Sequence, residues 1–256
     1  MRKYLTELNR RNGILFWFGS LNILISFFCL GLMSFDYTQI LGVNAWVKPF
    51  KFYLSAGIFT WSISWMIYHI NSKRSRIICG WLIGISTFTE NCIVFYQSAK
   101  GVPSHYNNST PFNSMLYSMM GICMSVFLLT VIYITIVFFR QRKMPISQHY
   151  SWGIRMGFLI FSIFSSIGII MMIMKSHTIG GADGGPGLKF LNWSTKFGDL
   201  RIAHIMSVFS LQIIPLVSYY FFEKKRQVIN FSITYSIVII ALLILAFMGI
   251  PLMPIK

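Results

Sequence analysis

The stretch KRSRIICGWLIGISTFTENCIVFYQSAK (residues 73–100) decides the fold. Lys73, Arg74 and Arg76 precede its apolar run and Lys100 closes it, yet residues 77–98 hold a single formally charged side chain, Glu90. A helix rises about 1.5 Å per residue, so about 20 such residues cross a hydrocarbon core roughly 30 Å thick. Runs of similar length recur at 14–34, 50–70, 114–138, 152–174, 201–222 and 229–252. Together they predict seven spans: an all-α, polytopic transmembrane helix bundle forming a single integral membrane domain over residues 1–256.

Composition points the same way. The chain is 55% hydrophobic and only 11% charged, with a mean hydropathy of +0.64, whereas soluble domains carry about a quarter charged residues. Disorder and ordinary globular solubility are both excluded. The formal net charge of +16 would suit nucleic acid or anionic lipid. The cations, however, sit in short clusters at span ends, without the aromatic interleaving of a single-strand binder. The lipid bilayer is the expected partner, and nucleic acid is not.

Cation placement orients the spans. The tail 1–12 and the turns carrying Lys73, Arg140 and Lys224 hold thirteen Lys and Arg, against seven in the opposite loops and C-terminal tail: Lys48, Lys51, Lys100, Lys189, Lys196, Arg201 and Lys256. The N-terminus is expected inside and the C-terminus outside. The first run has no small-residue cleavage site and is expected to stay as an anchor. Cys29, Cys79, Cys92 and Cys123 fall within spans and read as buried thiols, not as a disulfide or metal framework. Ser114, Ser118, Gly121 and Ser125 recur at helical spacing as a seam for close packing.

The outer loops are richer than tethers need to be. NAWVKPFKF (44–52) puts aromatic rings beside Lys48 and Lys51 in the manner of an interfacial belt. In the loop 99–113, Thr110 is placed to N-cap a helix opened by Pro111. GADGGPGLKFLNWSTKFGDLRIAH (181–204) begins with glycines suited to a tight reversal. Phe190, Trp193 and Phe197 then recur at the spacing of a short interfacial helix, and Asp199 follows as an N-cap.

Glu90 is the most informative residue. An ionisable group deep in a bilayer costs about 2.5–3.5 kcal/mol on insertion scales, and it ordinarily faces a cavity or a partner. Helical spacing puts Ser86, Thr87, Glu90 and Gln97 on one face. His204 lies one turn into the sixth span and shares a face with Arg201 and Ser207. His105 follows the outer end of the Glu90 helix, and His177 and Asp183 belong to the long outer loop. Glu90, His105, His204, Arg201 and Asp183 are therefore the candidate ligand-binding residues. A retinal-binding Lys in the last span, clustered His boxes, HExxH, CxxC and GxxxxGK[ST] are all lacking.

WVKPFKF (46–52) and DGGPGLKFLNWSTKFGDLRIAH (183–204) together resemble a pattern found in uncharacterised multi-pass bacterial membrane proteins. The resemblance covers about a fifth of the chain and implies residence in a bacterial cytoplasmic (inner) membrane. In that pattern a second His follows five residues after the position of His204, where this chain has Phe209.

The favoured reading is an outward-facing polar pocket for binding or proton-coupled transport of a small ligand. The third and sixth spans would wall it, the loops 99–113 and 176–200 would cover it, and Glu90 would carry a proton or cation. One alternative is a haem-binding or redox protein with His204 and either His105 or His177 as axial ligands. The other is a structural or assembly subunit of a membrane complex, with a partner membrane subunit.

Overall fold

The computed structural model describes residues 2–183, 187–188 and 190–254. Gly184, Gly185 and Pro186 of the glycine-rich stretch, and Lys189 and Lys256 of the cation count, lie outside them. In chain order the elements are α1 (Arg2–Arg11), α2 (Gly13–Leu32), β1 (Gln39–Ile40), β2 (Val43–Asn44), α3 (Val47–Ile67), α4 (Lys73–Ala99), α5 (Pro111–Arg140), α6 (Gln148–Phe164), α7 (Ser166–Met174), β3 (Thr178–Ile179), β4 (Gly198–Asp199), α8 (Leu200–Phe221) and α9 (Lys225–Phe247). β1–β2 and β3–β4 are two-residue antiparallel pairs within loops, so the architecture is all-α.

Short polar side chains set several helix starts. Asn12 Oδ1 accepts from Leu15 N at 3.0 Å to open α2, and Thr110 Oγ1 accepts from Asn113 N at 3.1 Å to open α5. Asp199 Oδ1 accepts from Arg201 N at 3.0 Å to open α8. Each satisfies a backbone N–H that the helix leaves without an internal partner.

Six helical segments are long and apolar enough to cross a membrane: α2, α4, α5, the continuous run Gln148–Met174 formed by α6 and α7, α8 and α9. The chain is a multi-pass membrane protein on that basis. The remaining expected span, 50–70, falls on α3, which has the length but not the hydropathy. Lys48, Lys51 and three serines lower it, and ten residues of α3 are buried. A helix enclosed by protein can carry polar groups that one facing lipid cannot.

The chain divides into two compact units, Met1–Pro145 and Ile146–Lys256. In the first, α2 lies along α3, and α4 packs on α2, α3 and α5. Gly19 and Gly57 permit the close α2–α3 approach, since a Cβ at Gly19 would strike the Trp61 ring and one at Gly57 would strike Ile23. Trp61 Nε1 donates to Phe16 O at 3.1 Å, and Asn91 Nδ2 donates to Asn22 Oδ1 at 2.8 Å, tying α4 to α2. More than half of the α4 window is buried (56%), the largest share among the six segments, and so the Glu90 helix is the enclosed one.

In the second unit α6 packs on α8, and α9 packs on both. Ser210 Oγ donates to Gly157 O at 3.1 Å where the two helices meet, beside Pro215 inside α8. Ile160, Ile167, Leu200, Ala203, Ile214 and Ile239 form the centre of its core.

Several local expectations differ from the structure. Cys29 and Cys79 are buried, but Cys92 is exposed. Ser118 and Ser125 are exposed, and their hydroxyls donate to the carbonyls of Ser114 and Gly121 one turn back, so the seam is not a packed interface within this chain. Trp46 is buried, its Nε1 donating to Asp36 Oδ2 at 2.7 Å, and is not a lipid-facing belt residue. No helix forms among the described residues of 187–197. Phe190 and Asn192 take left-handed backbone angles (φ 66° and 58°), which interrupt any helix their spacing suggests.

Candidate functional site

The first unit brings two of the expected residues together. Glu90 stands on the buried face of α4 with Ser86, Thr87 and Gln97, as their spacing predicts. It is only 8% exposed. Its Oε1 lies 3.9 Å from His105 Nε2, beyond hydrogen-bonding range, and among the described residues the carboxylate accepts no side-chain hydrogen bond. His105 comes from the loop between α4 and α5. Its Nδ1 lies 3.1 Å from Lys48 Nζ and 3.2 Å from Ser104 Oγ, and the edge of its ring meets Phe52. The imidazole thus stands between an ammonium at the start of α3 and a carboxylate inside α4, with a fifth of its side chain exposed (21%).

Among the described residues, two further buried polar atoms of this unit lack a hydrogen-bond partner. Gln97 Nε2 donates to Asn113 Oδ1 at 3.1 Å, while Gln97 Oε1 is buried and accepts nothing. Tyr117, whose ring meets that of Tyr106 beside His105, has a buried hydroxyl without a hydrogen bond. A buried polar group left without a bond costs about 1–3 kcal/mol.

The second unit holds the other three candidates. Asp183 Oδ1 accepts from His177 N at 2.9 Å, Thr178 N at 3.1 Å and Thr178 Oγ1 at 3.0 Å, and Oδ2 lies 2.9 Å from His177 Nδ1. Burial pushes this carboxyl up, but the bonds to His177 and Thr178 and the His177 charge outweigh it and hold the group well below the usual carboxylate range. Arg201 chelates Asp199 through Nε (2.9 Å) and Nη2 (2.6 Å), and Nη2 also reaches Asn192 O at 2.6 Å. Ser194 N donates to Asp199 Oδ2 at 2.8 Å. Asp199 therefore caps α8 and fastens the loop before it. His204 faces α7, where a Cβ at Gly168 would stand 3.1 Å from its Cε1, and among the described residues its buried Nδ1 has no hydrogen-bond partner.

No family model, curated protein or solved structure matches this chain. Side-chain chemistry alone carries the functional reading. Among the described residues no three His, Cys, Asp or Glu side chains converge to hold a metal ion. Lys48 is the contributor that sequence reasoning missed. It lies 57 residues from His105, and no local pattern links the two.

Proposed function

We propose that the chain binds a small ligand and exchanges a proton or cation with it at Glu90, as a transporter or a ligand-binding membrane protein of the bacterial cytoplasmic membrane. The observation that carries this reading is the enclosed Glu90 carboxylate without a hydrogen bond, next to a partly exposed His105. A carboxylate that merely fastens helices would be expected to have donors around it. Among the described residues Glu90 accepts no hydrogen bond, and Gln97 Oε1 and the Tyr117 hydroxyl leave further capacity in the same unit. His105 can pass a proton between water and Glu90, with Lys48 holding its other nitrogen.

The same proposal takes α3 as a seventh span and places the N-terminus inside, because thirteen cations then lie on the inner side. An alkaline phosphatase reporter fused after residue 254 should be active, and one fused within 141–147 inactive. The reverse pattern contradicts this orientation.

The functional test uses proteoliposomes containing a pH-sensitive dye and an imposed proton gradient. The intact protein should dissipate the gradient faster than Glu90→Gln, at matched incorporation and thermal stability. Equal rates contradict the assignment of Glu90.

A further inference from the structure

At the other end of α4 from Glu90, three arginines converge on one ring. The guanidinium carbons of Arg10, Arg11 and Arg76 lie 5.1, 5.0 and 5.5 Å from the centroid of Tyr68. The place is built. Ser64 Oγ on α3 donates to the carbonyls of Leu8 and Asn12, and Asn12 Nδ2 donates to Arg76 O at 3.1 Å, so the end of α1, the end of α3 and the start of α4 are tied together. Arg11 stacks over Trp65 at 3.8 Å and donates to Trp65 O at 3.1 Å.

Among the described residues only one carboxylate answers these charges. Glu7 binds Arg10 at 2.7 Å and Arg11 at 2.9 Å, and the two guanidinium groups hold its carboxyl down at about 2. Among the described residues no carboxylate pairs with Arg76, whose Nη1 donates to Tyr68 O at 3.2 Å. Each guanidinium carries five N–H donors in a planar fork suited to phosphate. Topology requires cations near span ends, but it does not require three of them around one ring against their mutual repulsion.

We propose that Arg10, Arg11 and Arg76 around Tyr68 form a binding site for a phosphate group, supplied by an anionic lipid headgroup. The site lies at headgroup level, because the apolar helix α2 starts at Gly13 immediately after α1 and the apolar part of α4 starts just after Arg76. Trp17, 66% exposed in the second turn of α2, matches the aromatic belt of that layer. The site is independent of the role assigned to Glu90.

The test is thermal unfolding of the intact protein in neutral detergent with added phosphatidylglycerol, phosphatidylcholine or inorganic phosphate. Phosphatidylglycerol should raise Tm in the wild type and in the equal-charge control Arg226→Gln, and phosphatidylcholine should not. Arg76→Gln should lose at least half of the rise, and Arg76→Lys should recover part of it. If Arg76→Gln does not fold, Arg10→Gln gives the same comparison, because the Arg10 side chain is 59% exposed. An equal rise with inorganic phosphate keeps the site but overturns the lipid as its source. An undiminished phosphatidylglycerol response in the folded variant, or no response in the wild type, overturns the site.

Discussion

The first unit's Glu90–His105 cluster and the second unit's loop use the same side-chain types to opposite ends. Asp183 and Asp199 are surrounded by donors: backbone N–H groups, the Thr178 hydroxyl, His177 and the Arg201 fork. Among the described residues Glu90 has an imidazole at 3.9 Å and no hydrogen bond. A saturated carboxylate has no capacity left for a ligand, and it rigidifies the chain that supplies its donors. An enclosed carboxylate without donors costs stability, and a protein retains that cost where a ligand or proton offsets it. Residue type alone therefore does not tell the two settings apart. The degree of hydrogen-bond satisfaction does.

The largest expected effect is at Asp199, whose side chain is fully buried and holds both the α8 cap and Arg201. Removing one partner of a buried ion pair costs about 3–5 kcal/mol. Asp199→Ala should therefore show a large drop in Tm in detergent, and a loss under about 1 kcal/mol would break the contrast.

A smaller effect is expected for Asp183→Asn, about 2 kcal/mol at neutral pH, because its bonds involve a charged acceptor. The sign with pH follows from the lowered carboxyl. Stability from Asp183 is fully present above the unfolded carboxylate value of about 3.9 and is lost as pH falls further through the folded one. The gap between wild type and Asp183→Asn in chemical unfolding should thus close as pH drops below about 4. A gap that persists in acid would show that Asp183 acts through shape and not charge. Glu90→Gln should have the smallest effect on stability, within about 0.5 kcal/mol, since the amide replaces a group with no bonds to lose.

The transmembrane character was legible because apolar runs and cation clusters are local properties of the chain. The face Ser86–Thr87–Glu90–Gln97 was legible for the same reason, and all four are buried. Other features need contacts that no local pattern carries. Lys48 meets His105 across 57 residues, and Trp46 has the same letter whether it faces lipid or binds Asp36. The aromatic spacing of 190–197 imitates a helix, but left-handed angles at Phe190 and Asn192 prevent one. α1 went unread because its ten residues are mostly polar, and its amphipathic fit depends on α2 and α3.

Infrared difference spectroscopy of the intact protein after a pH step reads proton exchange at Glu90 itself. A reversible carboxyl C=O band is expected that persists in Asp183→Asn and disappears in Glu90→Gln, with both variants folded. The same band at full amplitude in Glu90→Gln would contradict it.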